Sequence, residues 1–308
     1  MRRERCIILL SVVKEIYMSQ NNAVREAYRV PFRSLTPFLL ISYGLAWSIV
    51  ALYIFLPEPM NAVFGQLTGN HPLFFLAVYS PAIAAFTIVA VSGELQGLQR
   101  FLGRALYWRC SVAWYAFLII GIPLIFIAGS AIKGNLFTEP FPFASFQALL
   151  VALFLSVIKG PVEEFGWRGL ALPLLQRKFA PIWAGLILGV IWGFWHLPAF
   201  LLSGTQQSEW SFTAFFAGCL AISVIVTVLF NRSRGSILLP AFFHFSLMNP
   251  IFPDAQPYDT YMLIVVAALV VWWNRKDMLT REHSYKEVIP GTEDVDYQVD
   301  KQRTHRIV

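Results

Sequence analysis

Long runs of apolar residues, separated by short polar segments, dominate the chain. A helix of roughly 20 apolar residues crosses a bilayer core about 30 Å thick. The runs are continuously apolar, whereas the strands of a membrane β-barrel alternate. The pattern predicts an all-α, polytopic membrane helical bundle with about eight transmembrane helices. The predicted spans are residues 35–57, 72–92, 110–132, 146–175, 182–202, 212–230, 235–252 and 260–274.

Basic residues are concentrated in alternate loops between these spans. Lysine and arginine precede the first span, follow the last and occupy every second loop, whereas the other loops contribute only Lys133. Cytoplasmic loops carry the excess of basic residues in membrane proteins. Both termini are therefore predicted to be cytoplasmic. The net charge of +6 is a topology signal and does not indicate nucleic-acid binding.

The composition agrees with a membrane protein. Hydrophobic residues make up 57% of the chain and charged residues 14%, against about 45–50% and about 25% in soluble domains. A soluble domain, a disordered chain and a disulfide scaffold are thereby excluded. The predicted organisation is a basic cytoplasmic N-terminal segment (1–34), a transmembrane domain (35–275) and a polar cytoplasmic tail (276–308).

Ionisable side chains inside the predicted spans are concentrated in three of them. Each costs roughly 2.5–3.5 kcal/mol on insertion scales and therefore needs a reason. At 1.5 Å per residue, the fourth and fifth spans place their carboxylate and histidine at a similar depth, so one carboxylate and two imidazoles are expected to converge. The polar residues in question are Lys159, Glu163, Glu164, Arg168, His196, His244 and Asn249.

The two neighbouring glutamates are expected to differ in role. Glu164 and Arg168 are spaced i, i+4 on one helix face and most simply form a structural ion pair. Glu163 points about 100° away from this pair. Its carboxylate is therefore available for a functional role, unless it forms an ion pair with Lys159 one turn earlier. Gly160-Pro161 predicts a kink just before this site.

These residues resemble the CPBP family of intramembrane glutamic proteases, which includes the CAAX prenyl endopeptidases and bacteriocin-immunity homologues. The sequence EEFGWR, from Glu163 to Arg168, is an EExxxR motif; WGFWH ends in His196, and His244 follows on a later helix. The core motifs lie within residues 145–250.

Two positions depart from the family pattern. Trp192 stands where the second motif usually has phenylalanine, and Trp167, Trp192 and Trp195 are interpreted as packing around the site. In the third motif the asparagine is expected four residues after the histidine, where this chain has Met248. Asn249 is the next residue. The helix is expected to unwind before Pro250, which would bring the Asn249 amide back towards the site.

The resemblance implies a metal-independent intramembrane endopeptidase that needs no cofactor. It implies that Glu163 activates a water with help from His196, and that His244 and Asn249 stabilise the oxyanion. Glu164 and Arg168 would support the site. The expected partners are the lipid bilayer and a membrane-associated protein or peptide substrate, prenylated or not. The expected location is a bacterial plasma membrane, and the sequence does not specify an oligomeric state.

Three alternatives stay open at this point. One glutamate and two histidines also suit a zinc protease, although no HExxH motif is present. A transporter could use Glu163 as a proton relay, but the chain shows no repeat symmetry. A non-catalytic membrane protein of the same fold, with a bacteriocin-immunity or scaffold role, is the third.

Overall fold

We describe the protein from a computed structural model, over residues 29–138, 143–202 and 205–291. Within these ranges the regular structure is entirely helical. The helices are α1 (Phe32–Phe55), α2 (Pro57–Phe64), α3 (Pro72–Leu106), α4 (Val112–Lys133), α5 (Phe146–Gln176), α6 (Pro181–Trp195), α7 (Leu197–Phe200), α8 (Phe212–Arg232), α9 (Leu238–Leu247), α10 (Tyr258–Trp273) and α11 (Arg275–Leu279).

An all-α, polytopic membrane bundle is confirmed. Five helices (α1, α3, α4, α5 and α8) are long and apolar enough to cross a membrane, and α6, α9 and α10 are shorter apolar helices. Together they lie at the eight predicted positions. The number of spans and the cytoplasmic position of the termini stay predictions.

The fifth and seventh spans are shorter than predicted, and proline explains both ends. Helix α6 ends at Trp195, because Pro198 has no N–H to bond to the carbonyl of Phe194 four residues earlier. Helix α9 ends at Leu247, since the residue before Pro250 is pushed out of the helical region.

Helix α5 is the centre of the bundle. It packs against α3 and α9, and α6 packs closely against α8. Residues 166–176, which form the last three turns of α5, are all buried. The helix continues through Pro161, where a kink is predicted. The irregularity of α5 begins six residues after Pro161, as a π-helical turn at Trp167–Ala171. Such turns are frequently found at functional sites.

The first part of the predicted polar tail is bound to the bundle. After α11, residues 280–291 form an irregular C-terminal segment in which Val288 and Ile289 are buried. The carbonyl oxygen of Val288 accepts a 3.0 Å hydrogen bond from the fully buried Arg104, and that of Tyr285 accepts one from Gln176. The apolar pair at 288–289 is the sequence signal for this docking. The rest of the tail and most of the predicted N-terminal segment lie outside the described residues.

Candidate active site

A cavity of about 960 Å³ lies among the helices at the start of the buried part of α5. Helix α5 contributes Glu163, the end of α6 contributes His196, α9 contributes His244, and the turn after α9 contributes Asn249. The cavity falls in the size range of ligand pockets. The structure thus brings to one space the four residues to which the sequence analysis assigns chemistry.

Glu163 is held by two tryptophans. Its side chain is 4% exposed, and its Oε2 atom accepts a 2.9 Å hydrogen bond from Nε1 of Trp192 and a 3.2 Å bond from Nε1 of Trp167. The two tryptophans lie around the site, as the packing interpretation expects, and both are in addition donors to the carboxylate. Trp167 follows Glu163 by four residues, a spacing that could have signalled the contact.

Lys159 does not pair with Glu163. Its Nζ atom donates a 2.7 Å hydrogen bond to Oδ1 of Asn70, at the N-terminal end of α3, and lies 5.3 Å from the ring centre of Phe75. A Lys159–Glu163 ion pair would have been the simplest structural explanation of a buried carboxylate. The geometry does not provide it.

Glu164 has two hydrogen-bond donors as partners instead of one. Its Oε1 atom accepts a 2.9 Å hydrogen bond from Nη1 of Arg168, the expected ion pair, and a 2.8 Å bond from Nδ1 of His244. Arg168 also donates to Oγ of Ser223 on α8 at 3.2 Å. Glu164 and Arg168 are each 1% exposed. The pair therefore joins three helices and fixes the orientation of the His244 ring.

His196 is oriented by the end of its own helix. Its backbone N–H bonds to the carbonyl of Gly193, three residues back, in a tightened last turn. The carbonyl of Trp192, which an α-helix would use for that bond, instead receives Nδ1 of the His196 ring at 2.8 Å. Because a carbonyl only accepts, Nδ1 carries a proton. In the neutral imidazole, Nε2 then has a free lone pair.

His244 presents its other nitrogen to α5. A Cβ atom added to Gly160 would lie 2.8 Å from Nε2 of His244 and 2.2 Å from Sδ of Met248. Gly160 therefore lets α9 approach α5 one turn before Glu163. Since the carboxylate of Glu164 accepts the Nδ1 proton, Nε2 can donate a hydrogen bond only when the ring is an imidazolium.

Asn249 lies beyond Leu247, the last residue of α9, as the predicted unwinding of this helix requires. Its Oδ1 atom accepts a 3.1 Å hydrogen bond from the backbone N–H of Ile251. The amide nitrogen of Asn249 takes no part in this bond. Met248 occupies the position beside His244 and Gly160. Both side chains line the cavity.

Trp192 connects the members of the site. The guanidinium of Arg168 lies 4.9 Å from the centre of its ring. The rings of His196 and His244 meet it edge to face at 5.2 and 5.5 Å between centres. Such contacts contribute roughly 0.5–1.5 kcal/mol each beyond area burial. Neither the motif departure at Trp192 nor its interpretation as packing predicted that it contacts three members of the site.

A metal site is an alternative chemistry for one glutamate and two histidines. Among the residues that the structure describes, no three histidine, cysteine, aspartate or glutamate side chains are arranged to hold a metal ion. Glu164 and His244, which lie closest together, are bonded to each other. The arrangement instead offers a carboxylate, a histidine lone pair and polar donors around one cavity.

Comparison with known proteins points to a family of membrane proteases. Residues 145–249 match the family model described as type II CAAX prenyl endopeptidase Rce1-like. The chain is also 28% identical over 172 residues to a protein of Methanococcus maripaludis named CAAX prenyl protease 2; the match covers 52% of this chain and 63% of that protein. The resemblance to this protease family, which rests on the EExxxR motif and its histidines, is thereby confirmed.

Proposed function

We propose that this chain, a member of the CPBP family to which the CAAX prenyl endopeptidases belong, is an intramembrane endopeptidase that uses Glu163 to activate water. The observation that carries the proposal is the position of Glu163. Its carboxylate is buried, is held through one oxygen by two indole donors and shares a cavity with two histidines. No residue of the described part neutralises it by a direct ion pair, so its charge is available to a bound water.

The first step is the addition of water to the scissile carbonyl. Glu163 takes one proton from the water, and the lone pair on Nε2 of His196 accepts a hydrogen bond from the other. The water oxygen forms a bond to the carbonyl carbon, and the carbonyl electron pair moves to oxygen. General-base assistance of this kind contributes typically 10²–10⁴-fold to a rate.

The developing oxyanion needs donors in a place that excludes water. In the proposal, the imidazolium of His244 donates from Nε2 and Asn249 donates from its amide nitrogen. Glu164 holds the His244 ring in place through the Nδ1 bond. Glu163 then returns its proton to the leaving nitrogen, the carbon–nitrogen bond breaks, and the products are a carboxylic acid and an amine.

The proposed substrate is a membrane-associated protein or peptide. Apolar side chains of several helices line the cavity together with the polar site, among them Val50, Phe74, Val78 and Leu155. An apolar wall beside the reacting centre suits a lipid-modified chain, and the name of the Methanococcus protein refers to prenylated substrates. We propose a prenylated peptide as the first substrate to test.

The test compares the chain with its Glu163→Gln variant in proteoliposomes, with a chelator present throughout. Both are given a mixed library of fluorogenic peptides, half of them prenylated. We expect cleavage by the unmodified chain alone, and faster cleavage of prenylated peptides. Equal cleavage by Glu163→Gln would contradict the glutamate mechanism. Cleavage that the chelator abolishes would favour a metalloenzyme, and no cleavage by either folded protein would favour an immunity or scaffold role.

A further inference from the structure

We infer that Trp192 and Trp167 are positioning residues, which hold Glu163 by its Oε2 atom so that Oε1 faces the reacting water. The inference rests on the proposed function for its catalytic consequence. Its geometric part, two donors on one carboxylate oxygen, stands independently. The two distances are 2.9 and 3.2 Å.

The two oxygens of Glu163 have different surroundings. Both indole bonds reach Oε2. Oε1 accepts no hydrogen bond from the described residues, and it is not among the buried polar atoms that lack a partner, unlike Oε2 of Glu164. Oε1 of Glu163 therefore opens on the cavity that the residue lines.

An indole is suited to this task because it can only donate. A hydroxyl or amide partner could rotate and present an acceptor, whereas an indole N–H always meets a lone pair. Any proton that Glu163 receives is therefore directed to Oε1. The proton taken from water stays on the oxygen that faces the substrate, from which it can pass to the leaving nitrogen.

Both indoles are themselves held firmly. Trp167 is fully buried and packs edge to face against Phe38 and Trp195. Trp192 is 4% exposed and lies under the guanidinium of Arg168. Donors fixed in this way cost no reorganisation during the reaction.

The inference predicts a difference within the family. The departure from the family motif at Trp192 puts an indole N–H where phenylalanine would have no N–H to donate. In this chain the residue four positions before the histidine is therefore a second donor to the carboxylate, in addition to its packing role.

The test begins with Trp192→Phe, which keeps an aromatic ring beside Arg168 and removes the donor. We expect kcat to fall about 10-fold or more, as for the loss of a hydrogen bond to a charged group, while KM changes little. The matched control is Tyr79→Phe, which removes a 2.8 Å bond to the carbonyl of Ile158 on the same helix as Glu163. The control is expected to keep its kcat.

A shape-matched substitution separates the donor from the packing. Replacement of Trp192 by 3-benzothienylalanine keeps the two-ring outline and puts sulfur in place of N–H. We expect the loss of kcat to persist in this variant. Recovery of the full kcat would assign the Trp192→Phe effect to packing and overturn the inference.

A readout independent of cleavage completes the test. Hydrophobic carbodiimides modify protonated carboxyl groups in membranes, and labelling of Glu163 is followed by peptide mass spectrometry, with Glu163→Gln as the blank. The charged and titratable neighbours from the surrounding helices, left in place by the substitution, are Lys159, Glu164, Arg168, His196, Cys219 and His244.

Loss of a donor to the ionised carboxylate favours its protonated form. We therefore expect faster labelling of Glu163 in Trp192→Phe than in Tyr79→Phe at the same pH. Equal labelling in the two variants would overturn the inference. If the unmodified chain cleaves no peptide but the labelling differs, the proposed function fails and the positioning of Glu163 stands.

Discussion

Nδ1 of His244 donates a 2.8 Å hydrogen bond to Oε1 of Glu164, 80 residues away in the sequence. The same oxygen accepts a 2.9 Å hydrogen bond from Nη1 of Arg168. A carboxylate that accepts hydrogen bonds from both side chains holds the imidazole of His244 in one orientation. The hydrogen bond made by one ring nitrogen of a histidine fixes the ring and determines whether the other nitrogen carries a proton.

The first prediction concerns Glu164→Gln. The substitution keeps the volume but leaves Arg168 buried without its counter-charge, which typically costs about 3–5 kcal/mol. We expect lower thermal stability in detergent and a loss of peptide cleavage of about 100-fold or more, since His244 loses its acceptor carboxylate.

The double variant Glu164→Gln/Arg168→Met separates the two effects. Removal of the orphaned charge is expected to restore part of the stability, measured as the unfolding midpoint, and none of the activity. Recovery of cleavage together with stability would mean that Glu164 acts only as the partner of Arg168.

The second prediction concerns His196. His196→Asn keeps a side-chain donor for the carbonyl of Trp192 but has no counterpart of the Nε2 lone pair. We expect a loss of kcat of about 100-fold or more, and a similar loss in His196→Ala. The same change at His71, whose ring bonds to the carbonyl of Phe64, is the control and should leave kcat unchanged. Full activity of His196→Asn would contradict its role with the water.

The third prediction concerns Gly160→Ala. The new methyl group would lie 2.7 Å from Cδ2 of His244 and 2.2 Å from Sδ of Met248, so α9 must move away from α5. We expect a destabilisation of roughly 1–3 kcal/mol and a clear loss of cleavage. Gly44→Ala on α1 meets nothing within 4 Å and is the matched control, expected to keep both stability and activity.

The fourth prediction concerns the asparagine that is displaced by one position. Asn249→Ala is expected to lower kcat by about 10²–10³-fold, as for loss of one oxyanion donor. Asn249→Asp keeps an oxygen for the Ile251 N–H and loses the donor, so it should be equally impaired. Met248→Leu conserves volume and should cost less than about 1.5 kcal/mol in stability. A Met248 effect on kcat larger than that of Asn249 would assign the position to Met248.

Much of the fold follows from apolar runs, because the membrane requires each segment to satisfy its own backbone as a helix. The positions of the helices are accordingly close to those predicted. Their ends depend on single residues: Pro198 and Pro250 shorten two predicted spans.

The partners of the site residues are harder to predict than the residues themselves. The spacing of Glu164 and Arg168 predicts their bond, since both lie on one helix. The bond from Glu164 to His244 depends on the rotation of α9 about its axis, which is set by packing at Gly160. The bond from Trp192 to Glu163 likewise depends on how α6 lies against α5.

The binding of the C-terminal segment has a consequence for how the protein is made. Arg104 at the end of α3 is fully buried and donates to the carbonyls of Gly169, Gly235 and Val288. Val288 is synthesised 184 residues after Arg104, which at cellular rates of about 5–20 residues per second takes roughly 10–40 s.

Until then one acceptor of the guanidinium does not exist, and Ile289 cannot fill the space beside Gly93 and Gly97. Synthesis of all the long helices therefore precedes closure of this end of the bundle. The nascent protein completes its packing only after most of the chain has left the ribosome.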